Sequence, residues 1–88
     1  MDTIIDPKEF GLPPKTVIKQ ISKNHLAFVI SRKSRIIMSD GRKILEKANK
    51  IKKIQHDSRI SVKTSAPVCS KTIQFLKDND IEIISVSI

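Results

Sequence analysis

Beyond residue 24 the spacing of apolar positions changes period several times, and each change predicts a new element. Leu26, Phe28 and Ile30 alternate with Ala27 and Val29, and Ile36, Ile37 and Met38 resume the apolar run after Arg32-Lys33-Ser34. This predicts a β-hairpin over 25–31 and 35–39 with a basic tip. Ile44, Leu45, Ala48, Ile51 and Ile54 then recur at helical spacing through residue 55, with Ser39 or Asp40 placed to cap the helix and Arg42, Lys43, Lys47, Lys50 and Lys53 on its other side. Ile60, Val62 and Thr64 alternate with Arg59, Ser61 and Lys63, the signature of a strand with one apolar face. Ser65-Ala66-Pro67 opens a second helix whose inner stripe is Val68, Cys69, Thr72, Ile73, Phe75 and Leu76, and Asp78-Asn79-Asp80 ends it. Ile81 to Ile88 reads as a last strand, apolar enough to be buried on much of both faces.

The start of the chain is less regular. Residues 1–14 contain Asp6-Pro7, Gly11 and Pro13-Pro14, which break regular structure, so they read as an arm attached through Phe10 and Leu12 to a single α/β domain over 15–88. Between Pro14 and Ser22, Val17, Ile18 and Ile21 fit a short helix opened by prolines, whereas Val17, Lys19 and Ile21 fit a strand. The helix is the favoured reading.

The expected fold is therefore α/β, of two or three layers. An N-terminal helix and a β-hairpin are followed by two right-handed β-α-β crossovers, making a small mixed four-stranded sheet. The strands ending near Met38, Thr64 and Ile88 are expected to run parallel, with 25–31 antiparallel at one side. Both crossover helices then start at one sheet edge, and the hairpin tip lies at the opposite edge. The sheet face away from the helices shows Ser61 and Lys63 but also Ala27, Val29 and Ile83. Such a face needs cover from the 14–22 helix or from a second copy, which makes a homodimer an open possibility.

Composition adds a partner class to this outline. At 88 residues and 39% apolar content the chain supports one modest core. The formal charge is +8, yet from Lys15 to His56 there are twelve basic residues against only Asp40 and Glu46, and the remainder is slightly acidic. Clustered positive charge favours a polyanion. The candidate contacts are Arg32, Lys33 and Arg35 on the tip and Arg42, Lys43, Lys47, Lys50 and Lys53 on the helix. Trp and Tyr are absent, and Phe28 and Phe75 fall on core stripes, so no stacking platform for single strands is evident. Phosphate-backbone binding to duplex DNA or structured RNA, with weak sequence selectivity, is the leading expectation. The alternative is a self-associating interaction or regulatory module without a nucleic-acid ligand.

Chemistry has weaker candidates. The two helix starts, with Ser39 and Gly41 at one and Ser65, Ser70 and Lys71 at the other, combine free backbone N–H groups with hydroxyls and lysine, a combination that can hold an anion. Neither has the glycine spacing of a nucleotide-binding loop. Cys69 is the only cysteine and reads as a buried structural residue, which leaves no internal disulfide or cysteine-based zinc site. With only His25 and His56 beside it, no metal or cofactor is implied. The carboxylates read as a cap, an ion-pair partner and turn residues, and no acid–base pair stands out, so catalysis is not expected. The acidic N-terminus lacks the features of a secretory signal and no apolar stretch reaches the length of a membrane span, so the expected address is cytoplasmic.

Overall fold

The computed structural model describes residues 3–86. Five strands form one sheet: β1 (Thr3–Ile5), β2 (Ile18–Ser22), β3 (His25–Ile30), β4 (Arg59–Thr64) and β5 (Ile81–Ser85), in the spatial order β1-β2-β3-β4-β5. The first three strands form an antiparallel meander, and β3, β4 and β5 run parallel. The connections between the parallel strands are α1 (Met38–Ile54) and α2 (Ser70–Asp78). The two helices pack against one another, so they share one face and the fold has two layers.

Burial follows from the periods of the sequence. Ile44, Ala48 and Ile51 recur on one side of α1 and meet Leu26, Phe28, Ile60 and Val62, the inward alternate positions of β3 and β4. Leu76 of α2 and Ile81 of β5 close the same core. Each such side chain contributes about 1.5–3 kcal/mol of burial against the entropy of ordering the chain. A 3-10 helix over Pro7–Phe10, capped by the Asp6 carboxylate, brings Phe10 and then Leu12 into this core, and it contacts α1. Gly11 follows it with φ 69, the left-handed conformation that glycine tolerates.

Three expectations are corrected. Residues 14–22 hold a strand, not an N-terminal helix: Ile18 faces the core and Lys19 the opposite side, and a bulge between Gln20 and Ser22 displaces Ile21 from the alternation. That displacement is what produced the helix-like spacing. The hairpin is β2–β3, turning at Lys23-Asn24, rather than 25–31 with 35–39. Ile36 makes one isolated bridge with Val68, and Met38 already begins α1. As a result the sheet has five strands rather than four, and β3 is parallel to β4 instead of antiparallel at one side.

The second crossover is displaced at its start. α2 opens at Ser70 rather than at Ser65-Ala66-Pro67, and of its expected inner stripe Thr72 and Leu76 are buried while Ile73 is exposed. It ends as expected at Asp78, and Asp80 takes φ 63 in the turn into β5. Residues 87 and 88 of the expected last strand lie outside the described residues. Among the described residues no helix is long and apolar enough to cross a membrane.

The helices come close where Gly41, in the first turn of α1, faces α2. A Cβ on Gly41 would lie 2.9 Å from Thr72 Cγ2 and 3.5 Å from the Phe75 ring. Gly41→Ala gains about 1 kcal/mol of helix propensity but overpacks a buried, β-branched neighbour at about 1–3 kcal/mol. The expected outcome in urea denaturation is a net loss near 1 kcal/mol, smaller in the Thr72→Ser background where Cγ2 is gone. A stabilising Gly41→Ala would show that the helices are free to part.

Candidate nucleic-acid interface

The C-terminal ends of β3, β4 and β5 define one sheet edge, and the corrected topology brings there everything that leaves β3 and β4: loop 31–37, the start of α1, loop 65–69 and the start of α2. The basic tip and the helix starts, expected at opposite edges, are neighbours. Main-chain bonds join the two loops: Ile36 N–H donates to the Pro67 carbonyl (2.8 Å), and Cys69 N–H donates to the Ile36 carbonyl (2.9 Å). The fully buried Ile36 side chain anchors this junction in the core.

Arg32 organises the first loop instead of facing a ligand. Its guanidinium donates to the Ser34 carbonyl (3.3 Å), to the Arg35 carbonyl (3.0 Å) and to Asp40 at 2.6 Å, with a longer 3.5 Å contact to the second carboxylate oxygen. Asp40 also accepts from Ile37 N–H at 3.0 Å. Ile37, and neither Ser39 nor Asp40, is the N-cap of α1; Asp40 serves the cap from the first turn. Lys33 and Arg35 remain exposed on the loop wrapped around Arg32.

The bond from Arg32, then that from Ile37, hold the Asp40 carboxyl below its ordinary value. A carboxyl depressed in the folded state stabilises above its unfolded pKa, near 4, and loses that contribution as pH falls through the folded value. Both side chains are partly exposed, which limits the gain. Asp40→Asn is expected to cost about 1 kcal/mol at pH 7. In thermal melts the gap from wild type should start to narrow as pH falls toward the unfolded value near 4 and go on narrowing below it, and a gap independent of pH would remove the ion pair as its cause.

The expected contacts divide according to their position on α1. Arg42 and Lys43 are exposed in its first turns, at the edge, while Lys47 and Lys50 continue along the helix and Lys53 lies in its last turn, at the far end. Lys43, Lys47 and Lys50 share one flank by their spacing. Lys47 also lines a groove of about 380 Å³ with Lys15, over Phe28, Ile30 and Ile44. Lys15 opens the basic stretch but was not among the expected contacts; the link between β1 and β2 carries it there.

The expected anion sites fare unequally. Ser39 and Ser70 are exposed in the first turns of their helices and Lys71 is exposed beside Ser70. Gly41 is buried beneath Thr72, and Ser65 lies outside the first turn of α2. Cys69 is the half-buried N-cap of α2 rather than part of its inner stripe. The backbone N–H groups of Lys71 and Thr72 lower its thiol from the ordinary value, with Arg35 adding positive charge.

Charge differs sharply between the two edges. Within loops 31–37 and 65–69 and the first turns of both helices, Asp40 is the single acid and Arg32 engages it. At the opposite edge lie Asp57, Asp78, Asp80 and Glu82. A groove of about 730 Å³ opens on that mixed edge between Lys52, Lys77, Asp80 and Glu82. His25 is half-buried on the uncovered sheet face, with Nε2 2.5 Å from Ser61 Oγ, and His56 is exposed after α1. Among the described residues no cluster of three His, Cys, Asp or Glu side chains is placed to hold a metal ion. Comparison of the chain with models of known families, with curated proteins and with solved structures finds no match.

Proposed function

We propose that this chain is a small, non-catalytic nucleic-acid-binding domain that grips phosphate backbones with the C-terminal edge of its sheet. The observation that carries the reading is the gathering of Lys33, Arg35, Arg42, Lys43 and Lys71 around two helix starts, with the one nearby carboxylate already engaged by Arg32. Exposed cations and helix N-termini are both suited to phosphate oxygens. Lys47, Lys50 and Lys15 extend the same surface along α1 and its neighbouring groove.

The mode follows from what this surface contains. Phe10 and Phe28 are buried and Phe75 is half-buried, so no aromatic platform is offered to unstacked bases. Lysine supplies most of the charge as mobile point cations rather than planar forks, which favours backbone contact over base reading. Duplex DNA and structured RNA are the favoured ligands.

Titration against both ligands and against a single strand, over a range of salt, tests this. Five phosphate contacts give a log–log salt slope of roughly −4.5 for a duplex, with affinity in the range of about 10⁻⁶–10⁻⁴ M at physiological salt. Little discrimination between duplex sequences is expected. A flat salt dependence, or tighter binding to the single strand, would overturn the reading.

A further inference from the structure

The sheet face turned away from the helices carries an ordered row across all five strands. Ile4, Lys19, Ala27, Ser61 and Glu82 are successive register partners. The next row holds Val29, Lys63 and Ile84, extended by Val17, whose carbonyl accepts from Val29 N–H at 3.0 Å. The small central residues Ala27 and Ser61 are already covered by their neighbours, at 0% and 1% exposure with His25 bonded to Ser61, whereas Ile4 and Val17 toward one margin remain 73% and 45% exposed. β2, expected as a covering helix, lies within the sheet and does not cover this face.

Charge on the face is antisymmetric about its centre. Lys19 and Glu82 flank the Ala27–Ser61 pair one strand out on either side, three strand intervals or about 14 Å apart. Among the described residues neither has an ion-pair partner.

We propose that this face packs against the same face of a second copy about a two-fold axis parallel to the strands. That rotation reverses strand order and keeps strand direction. It lays Lys19 against Glu82 of the other copy, twice by symmetry, on either side of the buried Ala27–Ser61 centre. It also places Val17 against Ile84 and Val29 against the aliphatic stem of Lys63. An in-plane axis perpendicular to the strands instead stacks Lys19 on Lys19 and Glu82 on Glu82, so the charge pattern selects the first arrangement.

Aligned sheets about 10 Å apart pack in this way in β-sandwiches. The axis runs between β3 and β4, so β2 to β5 overlap; four strands at about 4.8 Å and five residues at about 3.3 Å give a footprint near 19 by 16 Å, below the size of a standard stable interface. Association is therefore weak and reversible. An axis along the strands also keeps both C-terminal edges on one side. The dimer thus presents two basic edges together and multiplies phosphate contacts. Only this last consequence rests on the nucleic-acid reading.

Sedimentation equilibrium of the full chain from about 1 to 200 µM tests the pairing in a range suited to weak interfaces. A monomer–dimer equilibrium is expected, and Lys19→Glu and Glu82→Lys should each weaken it about tenfold or more while circular dichroism stays unchanged. An equimolar mixture of the two variants should regain association as a heterodimer, because every reversed charge then meets its opposite. A wild-type chain that stays monomeric throughout, or a mixture that does not recover, would overturn the pairing. So would a monomeric chain whose nucleic-acid affinity changes with either variant, since nucleic acid would then occupy this face. Dimerisation without nucleic-acid binding would overturn only the function proposed above.

Discussion

Ile36→Ala is expected to lower stability by about 2–5 kcal/mol, enough to lower the melting temperature of a chain this size by more than about 10 °C. Ile36 is fully buried, and it sits where loop 31–37 crosses to loop 65–69. Truncation leaves a cavity beneath the point where the two loops exchange main-chain bonds. The loss should therefore appear locally as well as globally: amide exchange at Ile36 and Cys69 should accelerate more than exchange within β4. Ile37→Ala is the matched control, since that neighbour is 49% exposed and its truncation should stay within about 0.5 kcal/mol. Equal losses for the two variants would mean that Ile36 is not the anchor of the edge.

The contrast between Ile36 and Ile37 also shows where sequence pattern stops being informative. Ile36-Ile37-Met38 has the composition of a strand, but one residue is a core anchor, the next an exposed N-cap and the third a helix start. Nothing local distinguishes them; the register with Val68 does. At β2 the misleading signal was a bulge, which shifted Ile21 and made a two-residue period resemble a helix. β4 and the body of α1 were legible because their core faces keep a single period from end to end, Ile60-Val62-Thr64 and Ile44-Ala48-Ile51.

The candidate site was legible as charge and not as geometry. Lysines and arginines between residues 32 and 53 stand out in any reading, but which of them meet depends on whether residues 35–39 form a strand. With that strand the tip and the helix starts lie on opposite edges; without it they share one. The fate of Arg32 depended on the same point. Its role as a strap follows from the Ser34, Arg35 and Asp40 oxygens that the loop brings around it, a convergence that composition does not encode.

Charge removal at the two edges should have unequal effects on binding, although net charge falls equally. Neutralising Lys33, Arg35 and Lys43 with glutamine is expected to flatten the salt slope by about 0.9 for each phosphate released, or nearly 3 in total, and to weaken duplex binding by more than tenfold at low salt. The control set Lys52, Lys53 and Lys77 lies in the last turns of α1 and α2. A strand of five residues separates those turns from the basic edge by about 16 Å, twice the Debye length of about 8 Å at physiological salt. The control set should therefore change affinity by about twofold or less at that ionic strength. Arg32→Ala should destabilise the loop more than it alters the salt slope, because its guanidinium is committed to Asp40 and two carbonyls. Equal weakening by the two sets would show that binding follows net charge alone, and the edge would then have no claim as a site.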